Sequence, residues 1–146
     1  MLTTPHAMAG VAIGSLIVNP LIVIPAAVAS HFLLDSVPHW QEVLAPYKPD
    51  KPTYIRVPLD IVLAIGLTIL AVHWQPHYVG SIWLGAIFAN APDLDVITML
   101  IPKLRQGIVR TYYDWHCRIQ RETSSLWGVV PQLIVIVLSL ILVKVR

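Results

Sequence analysis

The chain is poor in charge: Asp, Glu, Lys and Arg make up only 12% of its 146 residues, too few to cover a water-facing surface. It has a single cysteine, Cys117, which excludes an internal disulfide and leaves the redox compartment undecided. It also lacks a low-complexity tail, a fixed-period repeat and any block of like charge, so residues 1–146 read as one domain. No Lys or Arg precedes the first apolar run, and Asn19-Pro20 interrupts it. Ala27-Val28-Ala29 before Ser30 is therefore not expected to be the end of a cleaved leader. A net charge of +2 is too small to point to nucleic acid.

What is abundant is apolar: hydrophobic residues make up 56% of the chain, and the mean hydropathy is +0.70. The bilayer is the natural solvent for such a composition. Hydrophobic patterning predicts an all-α polytopic membrane bundle of about five short transmembrane helices, near 4–18, 20–37, 56–73, 78–91 and 126–144, with an interfacial helical segment over roughly 96–124. Most of these fall short of the ~20 residues that a comfortable span needs. Asn19-Pro20 marks a tight turn between the first two, giving a hairpin whose mouth holds residues near His6 and Asp35. Gly10 and Gly14, spaced as small-xxx-small, predict close packing of the first helix on a neighbour. The prolines and charges between Gln41 and Arg56 predict a polar loop, with Lys48 and Asp50 in it.

Threading the charges through this topology puts all eight acidic residues on the side where the hairpin opens. Arg105 and most of the other Lys and Arg residues join them, leaving Lys144 and Arg146 opposite. By the positive-inside rule that side is cytoplasmic. The rule says nothing of acids, so the carboxylates need a reason of their own.

Ser30-His31-Phe32-Leu33-Leu34-Asp35-Ser36-Val37-Pro38-His39 is the strongest local motif. A four-residue step turns a helix by ~400°, so His31 and Asp35 share one face and can share a metal ion. His39 continues the series, although Pro38 biases Val37 away from the helix. The plain alternative is a helix end whose polar residues reach the headgroups. His6 is brought level by the hairpin. Asp60 serves either the positive end of its own helix or the site. Pro92-Asp93-Leu94-Asp95 supplies two carboxylates suited to a ligand and general-base pair, or to capping the next helix. His116 is a further candidate ligand, and Arg118 and Arg121 are candidate phosphate contacts, although a basic interfacial helix has the same composition. His73 and His77 lie opposite, with no carboxylate near them, and read as interfacial.

At His6 ahead of a glycine-bearing helix, His31-x-x-x-Asp35-x-x-x-His39 and Pro92-Asp93-Leu94-Asp95, the chain resembles the predicted membrane-bound metal-dependent hydrolases, a bacterial and archaeal inner-membrane family. The resemblance covers roughly residues 4 to 120. His-x-x-x-Asp also looks, more distantly, like the metal-binding helix of zinc-dependent phospholipase C. The resemblance implies a small multi-helix membrane protein with a divalent-metal site at His6, His31, Asp35 and Asp93, joined by His39 and Asp95. Members often carry Thr-His-Ser after the acidic motif; this chain has none, and His116 with Arg118 stands in its place.

The expectation is a mono- or dinuclear site at the cytoplasmic face of a prokaryotic inner membrane. Zinc is the first candidate, and manganese, iron and nickel also suit mixed nitrogen and oxygen ligands. Its chemistry is that of a hydrolase acting on an ester or phosphoester, of a lipid by its location, with Asp93 or Asp95 accepting the proton of the attacking water. The competing class is a metal-stabilised membrane scaffold, or an ion-binding or transport component.

Overall fold

The computed structural model describes residues 1–42, 51–96, 101–104 and 106–146. The expected loop residues Lys48 and Asp50, and Arg105, lie outside the described residues. Among the described residues are six α-helices and no strand: α1 (Thr3–Leu16), α2 (Pro20–Asp35), α3 (Thr53–Trp74), α4 (Val79–Asn90), α5 (Ile108–Ile119) and α6 (Ser125–Val145). Three 3₁₀ turns, Pro76–Tyr78, Ala91–Val96 and Pro102–Leu104, lie between them.

The breaks follow local chemistry. Pro20 opens α2 at a position that needs no amide hydrogen, and the Asn19 side chain accepts from Leu21 N at 3.0 Å. Because Asn19 is committed to that cap, α1 stops at Leu16, with Ile17 already extended, rather than running to 18. α2 ends at Asp35 rather than 37, because Val37 precedes Pro38. Among the described residues of the expected 96–124 segment, the α-helix is Ile108–Ile119.

The helices alternate in direction. The start of α1 meets α3 near Asp60, whereas the far ends of α3 and α6 meet where Gln75 Nε2 donates to Val143 O at 3.0 Å. Arg146 lies over the Tyr78 ring at that same end. α1 is the central helix and buries ten of its residues. Its Ala7, Met8 and Val11 pack with Ala64 and Ala71 of α3, Ile82 and Ala86 of α4, and Val143 of α6.

The α1–α4 seam is backbone on backbone. A Cβ added at Gly10 would lie 2.1 Å from Gly85 O, and one at Gly14 2.1 Å from Ser81 O. This is the close approach that the glycine spacing predicts. Gly10→Ala is expected to cost about 1–3 kcal/mol through overpacking. Gly66→Ala, where a Cβ meets nothing, should be neutral or gain up to about 1 kcal/mol of helix propensity. Equilibrium unfolding in detergent compares the two, and equal stability of both variants would remove the seam from the account.

Two helices are long and apolar enough to cross a membrane: α3, of 22 residues, and α6, of 21. At ~1.5 Å per residue they reach the ~30 Å of a hydrocarbon core, which the 14 residues of α1 and 12 of α4 do not. The outer faces of α3 and α6 are apolar and open; Leu59, Val62, Leu133 and Val137 are each more than half exposed. Between α1, α3 and α4 lies a cleft of about 280 Å³, lined by Ala7, Ala64, Trp83 and Ala86 and ending at Asn90, Ala91 and Leu94.

Candidate metal centre

Asp35 is the hub. It ends α2 with its side chain fully buried, and its two oxygens face different partners. Oδ2 lies 3.2 Å from His31 Nε2 and 3.2 Å from His116 Nε2. Oδ1 lies 3.1 Å from His6 Nε2, 3.9 Å from His39 Nε2 and 2.7 Å from the Met1 α-ammonium. His6 reaches Asp35 from α1, and its ring stacks on that of His31 at 4.0 Å. The hairpin therefore does what its turn signal predicts.

α4 and the turn after it supply the acidic side. The 3₁₀ turn Ala91–Val96 carries Asp93, whose Oδ1 is 3.5 Å from His31 Nε2. It also carries Asp95, whose Oδ2 is 2.7 Å from His116 Nδ1. α5 closes the site from outside. It is strongly amphipathic, and His116 is its one fully buried side chain, beneath Tyr112 and Phe32.

The tautomers follow from the outer hydrogen bonds. His31 Nδ1 meets the Ala89 carbonyl at 2.7 Å and His116 Nδ1 meets the Asp95 carboxylate, so both nitrogens must carry hydrogen and donate. Their Nε2 atoms then face each other at 3.1 Å, with Asp35 Oδ2 3.2 Å from each. Three acceptors this close need a cation among them. In the metal-free protein a proton fills the role: burial alone lowers the His116 pKa, but hydrogen bonds to Asp35 and Asp95 outweigh it and hold the imidazole up at about 9.

A metal ion can serve the same purpose. One donor atom from each of His31, Asp35, Asp93 and His116 lies within 4.8 Å of every other. Bonds of ~2.0–2.1 Å in a tetrahedron set donor atoms about 3.3–3.4 Å apart. Four of the six edges, 3.1, 3.2, 3.2 and 3.5 Å, sit around that length, and the two from Asp93 to Asp35 and His116 lie within 4.8 Å. These four residues can hold a metal ion, and the Ala89 carbonyl and Asp95 orient the two imidazoles as outer partners of metal ligands do. Asp93 is the open side of the group: 37% of its side chain is accessible, although the protein around it is enough to push its pKa up.

The remaining candidates divide. His39 lies just beyond α2, fully buried; its Nδ1 donates to Val37 O at 2.8 Å, and burial lowers its pKa. Asp60 is not brought to the donors. It accepts from Thr3 N at 2.7 Å and Thr4 N at 3.3 Å, so it caps α1 from α3, where α1 has no side-chain cap of its own. Asp95 backs His116 rather than facing the open side. Arg118 is exposed and, two residues on from His116, lies ~200° around α5 from it. Arg121 is also exposed; its backbone pairs with Asp35 and His39. His73 and His77 stay at the far end of the bundle.

Two contributors carry no sequence signal. Ala89 acts through its carbonyl. Gln41 lies in an irregular stretch, its amide nitrogen donating to Gln120 Oε1 at 3.1 Å and Glu122 Oε1 at 2.6 Å, which turns Oε1 toward His39 at 3.4 Å. Comparison with protein-family models, curated proteins and solved structures finds no match to this chain.

Proposed function

We propose that the protein is a membrane-embedded, metal-dependent hydrolase that cleaves an ester or phosphoester of a lipid. The observation that carries the reading is the convergence of His31 Nε2, His116 Nε2 and Asp35 Oδ2 at 3.1–3.2 Å from one another, three donors that would leave the fourth position of a metal ion open, with Asp93 3.5 Å from His31 Nε2 on that open side. Two imidazole nitrogens and a carboxylate oxygen favour zinc. A metal bound there supplies Lewis acidity and lowers the pKa of a coordinated water.

The protein's own residues then have separable tasks. His31 and His116 present fixed lone pairs, and Asp35 anchors both. Asp93 is the carboxylate able to accept a proton and pass it to solvent. Asp95 keeps His116 in register. The resemblance to membrane-bound metal-dependent hydrolases points the same way.

Lipid is favoured as the substrate because of the surroundings. The exposed apolar faces of α3 and α6 suit a bilayer, and Trp74 and Tyr78 at one end, with Trp115 and Trp127 at the other, suit its two interfaces. The cleft between α1, α3 and α4 ends at Leu94, next to Asp93 in the chain. In this reading α1, α2, α3, α4 and α6 form five membrane-inserted helices, with α1 buried among the other four. The metal centre faces the cytoplasm of a prokaryotic inner membrane, and Arg118 and Arg121 meet headgroup phosphates at its surface.

The test is to purify the protein in mild detergent, measure its metal content, and assay carboxylester and phosphodiester lipid substrates before and after chelation. Hydrolysis that is lost on chelation and restored by zinc is the expected result. Bound metal with no hydrolysis of either class would instead favour the metal-stabilised scaffold.

A further inference from the structure

Hydrolysis needs hydrogen-bond donors as well as lone pairs, because an oxygen of the substrate gains negative charge as water attacks. With Nδ1 committed to Ala89 and Asp95, His31 and His116 turn bare Nε2 lone pairs inward, and Asp35 and Asp93 add carboxylate oxygens. None of these atoms has a hydrogen to give. Arg118 lies ~200° around α5 from His116 and is exposed, so it does not supply one.

Tyr112 does. It stands one helical turn ahead of His116 on α5, so the two share the face that closes the site. Its half-buried ring is 5.8 Å from that of His116 and 6.0 Å from that of Trp115. The hydroxyl donates to the carbonyl of Pro92, the residue before Asp93, at 3.3 Å. That is well beyond the ~2.7–2.8 Å at which such bonds cluster, so the hydroxyl gives up little by changing partner. Its hydrogen rotates about the C–O bond to suit the new one. Burial first, and then the charges of Asp95, Asp93 and Asp35, push the phenol's pKa up to about 12. The polar end of Tyr112 is thus set against the acidic wall of the centre with a hydrogen to donate.

We propose that Tyr112 is a catalytic residue, its O–H leaving the Pro92 carbonyl to hold the substrate oxygen on which charge develops. The inference rests on the centre being hydrolytic and adds the hydrogen-bond donor that the ligand set lacks. As the water oxygen bonds to the carbonyl carbon or the phosphorus, its proton passes to Asp93. The electron pair of the C=O or P=O bond moves onto the terminal oxygen, and Tyr112 donates to that oxygen while it carries the charge. The pair returns as the bond to the leaving alcohol oxygen breaks, and that oxygen takes the proton from Asp93. Tyr112 keeps its own proton throughout.

The experiment compares wild type with Tyr112→Phe, both purified in mild detergent and loaded with zinc. The substitution keeps the ring against His116 and Trp115 and removes only the hydroxyl. Zinc affinity and unfolding temperature are expected to match the wild type. On carboxylester or phosphodiester lipids kcat should fall on the order of 10²-fold, with KM affected less than kcat. Binding of inorganic phosphate to the zinc-loaded protein, which needs no turnover, should weaken about tenfold or more as a hydrogen bond to a charged oxygen is lost. Unchanged kcat or unchanged phosphate affinity in Tyr112→Phe overturns the proposal and leaves the hydrolase reading standing. A fall in zinc affinity that tracks the fall in kcat overturns it too, since the hydroxyl would then only pin α5 to the Pro92 carbonyl. A wild type that binds zinc and hydrolyses neither lipid overturns the hydrolase reading, and the proposal with it.

Discussion

Asp35→Asn is expected to abolish stoichiometric metal binding, the largest single effect that the structure predicts. The substitution keeps the shape of the side chain and removes the charge on which His6, His31, His39 and His116 converge. Removing one partner of a buried charged group typically costs 3–5 kcal/mol, which at 1.4 kcal/mol per tenfold is roughly a 10²- to 10³-fold loss of affinity or more. Thermal unfolding provides the readout. An ion that binds only the folded state raises the unfolding temperature, so zinc should stabilise the wild type and leave Asp35→Asn where chelator leaves it. Equal stabilisation of both proteins by zinc would place the metal elsewhere.

Asp95→Ala should produce the second-largest effect, and by a different route. Asp95 has its 2.7 Å hydrogen bond to His116 Nδ1, on the side of the ring away from the donors. Its loss frees the ring to rotate and removes the acceptor that selects the tautomer with Nε2 bare. Losing such an outer partner typically costs 10- to 100-fold in metal affinity. Asp95→Asn retains an oxygen acceptor and is expected to recover most of that loss, whereas a carboxylate that bound metal directly would not be replaced by an amide. Competition titration with a chromophoric chelator separates the two cases: matching affinities for the Ala and Asn variants would contradict the orienting role.

What the sequence made legible was whatever depends on a single helix or a single turn. The four-residue step from His31 to Asp35 follows from helical pitch. The hairpin at Asn19-Pro20 brings His6 level with Asp35, and Gly10 and Gly14 announce a close seam. What depends on how separate elements meet was harder to read. Asp60 looked equally suited to its own helix and to the site, because a cap supplied by one helix to another has no sequence spacing. Asp93 and Asp95 read as a similar pair, and only the 3₁₀ turn, which sends them to different histidines, separates their tasks. His116 was one polar residue among several on a basic amphipathic segment until the packing of α5 buried it. Gln41 and the Ala89 carbonyl could not be found at all, one being an uncharged side chain in an irregular stretch and the other backbone.

The donors come from residues far apart in the chain: His31 and Asp35 end α2, Asp93 follows α4, and His116 waits until α5. A chain emerging from its N-terminus therefore carries His31 and Asp35 for 60 residues before Asp95 is made and for 81 before His116 is. The first three donors can gather once α4 is in place, but the fourth arrives from outside the bundle, on the helix that covers the others. The order of manufacture thus makes α5 the last piece of the centre to be set down. Any ion held there would be fully enclosed only when His116 arrives, so loading would be a late step of assembly.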